Sequence, residues 1–421
     1  MSDHLQRFGL TESYHHPVAE YVAAEKAAFI ESLEKMGENP PGGSVALSEF
    51  SKAALTDLSE NQTRFPELGN LVDAFIEQRP DMDGAYKVQH FWRTFQSYLI
   101  DTDRPHYPRE YICTTWQGVF RSMLRDPERV RDIEQKLWTR NNQANEPRRY
   151  AGLKLAMAIN RPPLPSKPTL VDAGCSAGLG PVQILKNINF ENVRFDTEDC
   201  TVAEYLQRRL AGKLALGTTV GFDSEIIDKA TIDWVEANSY YPSELLDNRK
   251  RSHRKRLYRA RRELTGRHLP AEDQRFKVEL ANLIPYDDRD DDTLESVRSH
   301  VPGGKYDVAA ALTTLYEMPE EDRLRAIKQL ASLADKMIFV QDFAYRDPDD
   351  PSHLIFPGIY TTPYTAFIRL PDDPENTWHE LGQWDSGRCY AFTPSKLLEN
   401  ICHQRVMHQK PDFNDQSTTN H

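Results

Sequence analysis

The pattern of apolar and polar positions changes character about 160 residues into the chain. Before that point, apolar residues recur at helical spacing over residues 14–36, 68–75, 88–99, 119–138 and 150–159. Asp126 followed by Pro127 suits a helix start, because aspartate caps a first turn and proline fits the first helical position. These patterns predict an all-α domain over residues 1–160.

Four prolines within residues 160–168 cannot belong to a helix interior, so we interpret 161–168 as a linker. Beyond it, strand-like runs alternate with helical ones up to residue 403, which predicts an α/β domain with a mainly parallel sheet. The strand-like runs are 169–173, 218–222, 276–280, 307–312 and 336–341, and the helical ones are 181–187, 232–262 and 320–334. Residues 378–392 alternate around an Asp-Ser-Gly turn and predict a terminal antiparallel hairpin, followed by a disordered tail over 404–421.

Composition and charge exclude several classes of protein. A chain of 421 residues exceeds one ordinary domain, and its net charge of −12 argues against a protein that coats nucleic acid. The five cysteines never form C-x-x-C and the histidines lack metal-ligand spacing, so no metal site is predicted. No apolar run approaches the roughly 18 residues of a membrane helix, and no signal peptide is visible at the start. We therefore expect a cytoplasmic protein with no membrane contact.

The segment Leu170-Val-Asp-Ala-Gly-Cys-Ser-Ala-Gly-Leu-Gly180 carries the most chemical information. It reads as a strand, a loop of small residues and a helix start, and small residues let backbone N–H groups approach a ligand closely. Its spacing differs from the dinucleotide fingerprint G-x-G-x-x-G, and no G-K-[ST] follows to grip phosphate. Two readings remain: a ligand-binding loop of another kind, or a tight β–α turn with no ligand.

The order acid-x-Gly-x-x-x-Gly over Asp172 to Gly178 resembles the first motif of class I S-adenosylmethionine-dependent methyltransferases. In that family the loop wraps the amino-acid end of the cofactor, and the acid helps to orient it. The resemblance implies a Rossmann-like domain over 169–403 and S-adenosylmethionine as cofactor. The cofactor-binding residues that it implies are Asp172, Gly174, Cys175, Ser176, Gly178, Asp223, Asn282 and Thr313.

The run from Tyr306 to Pro319 looks like the fourth strand of the same fold, with polar residues emerging at its carboxyl end. Ligands of open α/β sheets sit at such ends, so Thr313, Thr314, Tyr316 and Glu317 should face the reaction pocket. We expect Tyr316 and Glu317 to be the catalytic candidates. The alternative is that Tyr316 packs and Glu317 caps a helix or is solvated.

A cofactor ribose needs a carboxylate near the end of the second strand, and two stretches compete for that role. Asp196 and Asp199 lie at the usual distance of roughly 20 residues from the glycine loop. Asp223 lies farther away but ends a short apolar strand, Thr219-Val-Gly-Phe-Asp, and it is favoured. Asp196 and Asp199 then belong to an insertion.

A closer resemblance joins several blocks in order. Gly174-Cys-Ser-Ala-Gly-Leu179, Gly221-Phe-Asp223 and Trp234-Val-Glu-Ala-Asn-Ser-Tyr-Tyr-Pro242 match an uncharacterised, mostly bacterial methyltransferase-like family with a G-x-S-A-G-L loop. The likeness spans residues 110–400, with Arg249 and Leu257 on the next predicted helix. Two positions depart from the family pattern: Gly180-Pro181 replaces the asparagine usual after Gly-Leu, and Tyr241 stands where tryptophan is common before the proline.

The basic run Arg249–Arg262 leaves the acceptor open. It could grip RNA, or be a solvated helix whose charges pair with nearby acids. We expect a methyltransferase acting on a small molecule, because the helical half could close a pocket. An RNA methyltransferase and a non-enzymatic binding or scaffold module of the same fold are the alternatives.

Overall fold

The computed structural model describes most of the chain and divides it into two compact units. One unit comprises Met1–Ala144 with Asp233–Arg251, and the other comprises Asn145–Ile232 with Ser252–His421. The described residues are 18–40, 45–59, 65–80, 82, 84–103, 112–140, 147–159, 163–176, 178–190, 193–223, 234, 255–261, 276–284, 293–316, 318–357, 362–385 and 389–407.

Every described element of the first unit is a helix: α1 (Val18–Glu38), α2 (Val45–Ser59), α3 (Pro66–Gln78), α4 (Gly84–Asp103), α5 (Cys113–Leu124) and α6 (Pro127–Thr139). The predicted helix over 119–138 is two helices, and Asp126 caps α6 by accepting a hydrogen bond from the Glu128 N–H. The prediction missed α2. The core of this first unit is aromatic, and the Phe50 ring packs edge-on against Trp116 and Phe120.

The second unit contains α7 (Tyr150–Ile159), α8 (Leu179–Leu185), α9 (Cys200–Ala211), α10 (Thr293–Arg298), α11 (Glu320–Leu333) and α12 (Lys396–Met407). Its strands are β1 (Leu170–Ala173), β2 (Arg194–Phe195), β3 (Thr219–Asp223), β4 (Phe276–Leu280), β5 (Tyr306–Leu312), β6 (Ala334–Phe343), β7 (Tyr345–Arg346), β8 (Leu354–Ile355), β9 (Tyr364–Arg369), β10 (His379–Trp384) and β11 (Ala391–Pro394).

Nine of these strands form one mostly parallel sheet in the order β2-β11-β10-β9-β6-β5-β1-β3-β4. Strands β4, β3, β1, β5 and β6 are parallel neighbours, as predicted. The predicted terminal hairpin is present as β10 and β11, but β9 also runs antiparallel between β6 and β10. The antiparallel part of the sheet is therefore larger than the sequence indicated.

The sheet has a hydrophobic core on each face. Along β5, Val308, Ala310 and Leu312 join the core that contains α7 and α9. Ala309 and Ala311 join the opposite core with α11. Successive strand residues point to opposite faces, so a run that is apolar at every position marks a strand covered on both sides. This explains the continuous apolar pattern of β1 and β5.

The domain limits differ from the predicted ones in three places. Helix α7 belongs to the second unit, which begins at Asn145 rather than after residue 160. Helix α12 continues to Met407 and so includes the first four residues of the predicted tail, while 408–421 lie outside the described residues. The expected insertion that contains Asp196 and Asp199 adds β2 to the sheet and packs α9 into the core.

Candidate functional site

The strand order reverses at β1, and this places the candidate site. From β1 the chain proceeds to β3 and β4 on one side, then returns to β5 and β6 on the other. The loops after β1 and β5 leave in different directions, and ligands of open α/β sheets bind at the crevice that this opens. The glycine loop and the predicted catalytic residues follow these two strands.

The glycine loop is held in a backbone conformation that most residues avoid. Gly174 and Gly178 have φ angles of 69° and 65°, and Ser176 between them has a φ of 49°. The N–H groups of Gly174 and Cys175 both donate to the carbonyl oxygen of Phe222 on β3, at 2.9 and 3.2 Å. Such constrained backbone is typical of ligand-binding turns, and hydrogen bonds to β3 offset its cost.

The two glycines are also needed for space. A side chain at Gly174 would collide with Thr314 of the loop after β5, and one at Gly178 would lie 2.6 Å from the Phe276 ring. The loop after β1 is thus in close contact with the loop after β5 at Gly174 and with β4 at Gly178. Ala177 lies outside the described residues, and α8 after the loop has seven residues.

Asp172, the predicted acid of the loop motif, is completely buried on β1. The Tyr150 hydroxyl donates to its Oδ2 atom at 2.7 Å, whereas its Oδ1 atom is buried and has no hydrogen-bond partner among the described residues. The pKa of Asp172 is raised to about 7, mainly because the carboxyl is buried; the Tyr150 hydrogen bond opposes this rise and the nearby charge of Asp223 adds to it. A buried carboxylate oxygen without a donor is costly unless a ligand supplies one.

Asp223 ends β3 beside the glycine loop, and its Oδ2 atom accepts a hydrogen bond from the Ser176 N–H at 3.0 Å. The hydroxyl of Ser176 is buried and has no partner in the described part of the chain. Asp172 Oδ1 near the end of β1 and Ser176 Oγ in the loop that follows are therefore both open to a ligand's hydrogen bond. Both can accept a hydrogen bond, and the serine can also donate.

The competing acids lie elsewhere in the sheet. The Asp196 N–H donates to the Phe392 carbonyl where β2 pairs with β11, at the opposite end of the strand order from β3. Asp199 caps α9 by accepting from the Thr201 and Val202 N–H groups, and it pairs with His403 at 3.2 Å. Of the three acids, Asp223 is the one beside the glycine loop.

A buried carboxylate that the sequence analysis did not single out holds the loop after β5. Asp342, near the end of β6, accepts three backbone hydrogen bonds at Oδ2, from Thr314, Leu315 and Tyr316 at 3.1, 2.8 and 3.3 Å. Burial raises the pKa of Asp342 to about 6, although these bonds favour its charged form. The signal available in the sequence was an aspartate directly after a predicted strand.

Thr313 and Tyr316 begin and end this loop. Thr313 has a φ of 56°, and its hydroxyl lies 2.5 Å from the hydroxyl of the buried Tyr364 on β9. The Tyr316 ring packs edge-on against Phe343 at 5.4 Å, and Phe343 packs against Tyr364 at 4.9 Å. The structure thus brings Thr313 and Tyr316 to the predicted edge. Glu317 lies outside the described residues.

The other predicted cofactor-binding residues, Asn282 and Cys175, make contacts within the protein. Asn282 follows β4, and its side-chain oxygen accepts from the Ile284 N–H at 3.1 Å. Cys175 is buried with its sulfur turned toward Gly221 of β3, where any side chain would collide with it. Burial raises the pKa of the Cys175 thiol, and the charge of Arg261 opposes this.

Only residues 255–261 of the basic run Arg249–Arg262 are described, and they are helical. Lys255, Arg256 and Arg259 are exposed, whereas Leu257 and Ala260 are buried. This part is an amphipathic helix with a solvated basic face.

Two searches of the described part of the chain are negative. No group of three or more histidine, cysteine, aspartate or glutamate side chains there is arranged to hold a metal ion. Within the same residues, no helix combines the length and apolarity that crossing a membrane requires.

Comparisons with known proteins return structures rather than sequences. The sequence matches no protein-family model, and the curated proteins contain no match. Similar solved structures include magnesium protoporphyrin IX methyltransferase from Synechocystis PCC 6803 with bound SAH, at 16% identity and a TM-score of 0.22 over 46% of this chain and 54% of that one. An O-methyltransferase family protein from Burkholderia thailandensis is 12% identical, with a TM-score of 0.25 over 63% of this chain and 56% of that one.

A third solved structure, an S-adenosylmethionine-dependent methyltransferase in its apo form, is 11% identical with a TM-score of 0.23 and covers 79% of either chain. The chain spans about half the length of the first two structures. Such low scores carry no argument about chemistry. What defines the class is the chain's own topology: a mostly parallel nine-stranded sheet covered by helices is a Rossmann-like α/β fold.

Proposed function

We propose that the protein is an S-adenosylmethionine-dependent methyltransferase. The observation that carries this proposal is the buried Oδ1 atom of Asp172 just before a strained glycine loop, for which the described residues supply no donor. The ammonium group at the amino-acid end of the cofactor supplies such a donor. A charge-assisted hydrogen bond of this kind contributes about 1.5–3 kcal/mol, so the residues present fit the cofactor.

The other cofactor contacts in the proposal come from the same edge of the sheet. The backbone of Gly174 to Gly178, with the Ser176 hydroxyl, cradles the amino-acid end. Asp223 accepts hydrogen bonds from the ribose hydroxyls. Asn282, after β4, and Thr313, after β5, complete the set on either side.

The chemistry supplied by the bound cofactor is an electrophilic sulfonium methyl group, which an acceptor nucleophile attacks. The cofactor is intrinsically reactive, so the protein contributes mainly by aligning the acceptor with the methyl group. The loop that Asp342 fixes ends at Tyr316, and we assign Tyr316 and Glu317, the next residue in the sequence, to the acceptor side. Tyr316 can hydrogen-bond a nucleophile, and Glu317 can accept its proton.

We propose a small molecule as the acceptor. The support is local: Tyr316 at this edge packs against Phe343, which packs against Tyr364, and an aromatic environment of this kind suits an organic ligand. Among the described residues of the basic run, the cations lie on a solvated helix face rather than around a groove with stacking aromatics. RNA is therefore the weaker candidate.

Two measurements test the proposal. Calorimetry with S-adenosylhomocysteine should detect binding to the folded protein, and no heat at millimolar ligand would overturn the cofactor assignment. Labelled S-adenosylmethionine in a cell extract should then show transfer of the label to a small molecule. Loss of transfer in Asp172→Ala and Gly178→Trp variants identifies an enzyme, whereas tight binding without transfer indicates a non-enzymatic module.

A further inference from the structure

Tyr150, the first residue of α7, touches the candidate site in two places. Its hydroxyl donates to Asp172 Oδ2 at 2.7 Å across 22 positions of sequence. Its ring lies directly on Gly180 in the first turn of α8, where any side chain would overlap it. The proposed methyl transfer assigns no role to this tyrosine.

The start of α7 is anchored to the sheet, which fixes the direction of the hydroxyl. The Gln341 amide donates to the Arg149 carbonyl at 2.8 Å, and its oxygen accepts from the Trp384 indole N–H at 3.0 Å. Tyr150 is itself buried. Because the ring is buried and lies directly on Gly180, it has little room to rotate, so its hydroxyl stays on Asp172.

Because of this hydrogen bond, the two carboxylate oxygens of Asp172 have different roles. Oδ2 accepts from the tyrosine, and Oδ1 is left as an acceptor for which no described residue provides a donor. A donor on one oxygen also favours the ionised carboxylate, because only the charged form gains fully from the bond. Without it, a carboxyl in this buried position would hold its proton more tightly.

We propose that Tyr150 is a positioning residue for cofactor binding, which holds Asp172 as a carboxylate with Oδ1 directed to the ligand's ammonium group. This inference rests on the proposed function. The titratable groups that act on Asp172 or on its partner are Tyr150 from α7, Asp223 from β3, Cys175 from the loop and Tyr364 from β9.

We therefore expect the affinity for the cofactor to depend on pH, and the Tyr150 hydrogen bond to set the midpoint of that dependence. The pKa of Asp172 lies at about 7, and the hydrogen bond from Tyr150 lowers it. Protonation removes the charge that an ammonium group needs, so affinity should fall about tenfold per pH unit below the midpoint. Removing the hydroxyl should move that midpoint upward.

The experiment measures the Kd of S-adenosylhomocysteine from pH 6 to pH 9 for the wild-type protein, Tyr150→Phe and Tyr306→Phe. Tyr306→Phe is the matched control, since it removes another buried tyrosine hydroxyl, which donates to the Val297 carbonyl at 2.6 Å. For Tyr150→Phe we expect the midpoint to rise by roughly one pH unit, with a five- to tenfold loss at pH 7 and near-normal affinity at pH 9. The ligand's own titration is common to all three proteins.

Two other results have distinct meanings. An equal loss of affinity at every pH, with an unmoved midpoint, would reduce Tyr150 to packing and overturn the inference. Failure of the wild-type protein to bind at any pH would instead remove the proposed function. If Tyr150→Phe does not fold, 3,5-difluorotyrosine at position 150 keeps the ring and strengthens the donor, and the midpoint should then move downward; no movement would again overturn the inference.

Discussion

Gly178 shows how one residue sets the shape of the loop. Its φ of 65° and the Phe276 ring 2.6 Å from a would-be Cβ both oppose a side chain. Gly178→Ala should therefore cost about 1–2 kcal/mol from the backbone alone and more from the collision, and it should weaken binding of S-adenosylhomocysteine. Urea unfolding and calorimetry measure the two effects.

Gly118 provides the control for that substitution. It lies within α5 with no atom near a would-be Cβ. Gly118→Ala should stabilise the protein by roughly 0.5–1 kcal/mol, because alanine is the better helix former, and should leave binding unchanged. Equal behaviour of the two variants would remove the special role of the loop glycine.

The choice of ribose acid is also decided at the level of single residues. Asp223→Ala should weaken cofactor binding on the order of 30- to 1000-fold, since it removes about two charge-assisted hydrogen bonds worth 2–4 kcal/mol together. Asp196→Ala should change affinity by less than about threefold. Asp199→Ala should lose the cap of α9 and some stability, with affinity likewise unchanged.

Calorimetry with S-adenosylhomocysteine on the three variants separates these cases, with circular dichroism as the check on folding. A critical residue among 196–199 and a neutral Asp223 would contradict the assignment of β3 as the ribose-binding strand. The glycine-loop assignment would survive that result.

At the level of elements, the loop after β5 depends on a carboxylate from β6. Asp342→Asn keeps the shape of the side chain but weakens the three bonds that Oδ2 accepts from Thr314, Leu315 and Tyr316. Each bond to a charged acceptor contributes about 1.5–3 kcal/mol, so the loop should loosen. We expect label transfer to fall at least tenfold, while cofactor affinity changes less than threefold.

Transfer assays and calorimetry on the same preparation test this split. A parallel loss of binding and transfer would mean that Asp342 supports the cofactor side rather than the acceptor side. Unchanged transfer would mean that the loop does not take part in the reaction.

For the whole molecule, the two buried carboxyls predict how stability responds to pH. The pKa values of Asp172 and Asp342, about 7 and about 6, both exceed the ordinary value of 3.8. The folded state thus binds their protons more tightly than the unfolded state does. Their contribution to the free energy of unfolding is greatest below about pH 4. It is lost as pH rises through 6 and 7, at up to about 1.4 kcal/mol per pH unit for each group.

Urea unfolding between pH 5 and pH 8 gives the measurement. Asp172→Asn should flatten the dependence relative to the wild type, since the amide does not titrate. Identical slopes for the two proteins would show that Asp172 does not exchange its proton in this range.

Much of the architecture could be predicted from sequence because local patterns report it. The uninterrupted apolar run of β5 indicated a strand buried on both faces, and the prolines before β1 marked a break in the helical pattern. Within the nine-stranded sheet, β2 and β9 escaped prediction. β2 has only two residues, whereas β9 carries a strand-like run of aromatic and β-branched residues between Pro363 and Pro371 that the prediction missed.

By itself, the sequence determined the parallel α/β core, the glycine loop and the preference for Asp223, because spacing and strand ends are local features. Only the tertiary structure decided which groups meet across long separations. Tyr150 reaches Asp172, and Asp342 reaches back to Thr314, 28 positions earlier. No periodicity encodes such pairs, since they arise when separate strands and helices pack around one sheet edge and bury polar groups that then require partners.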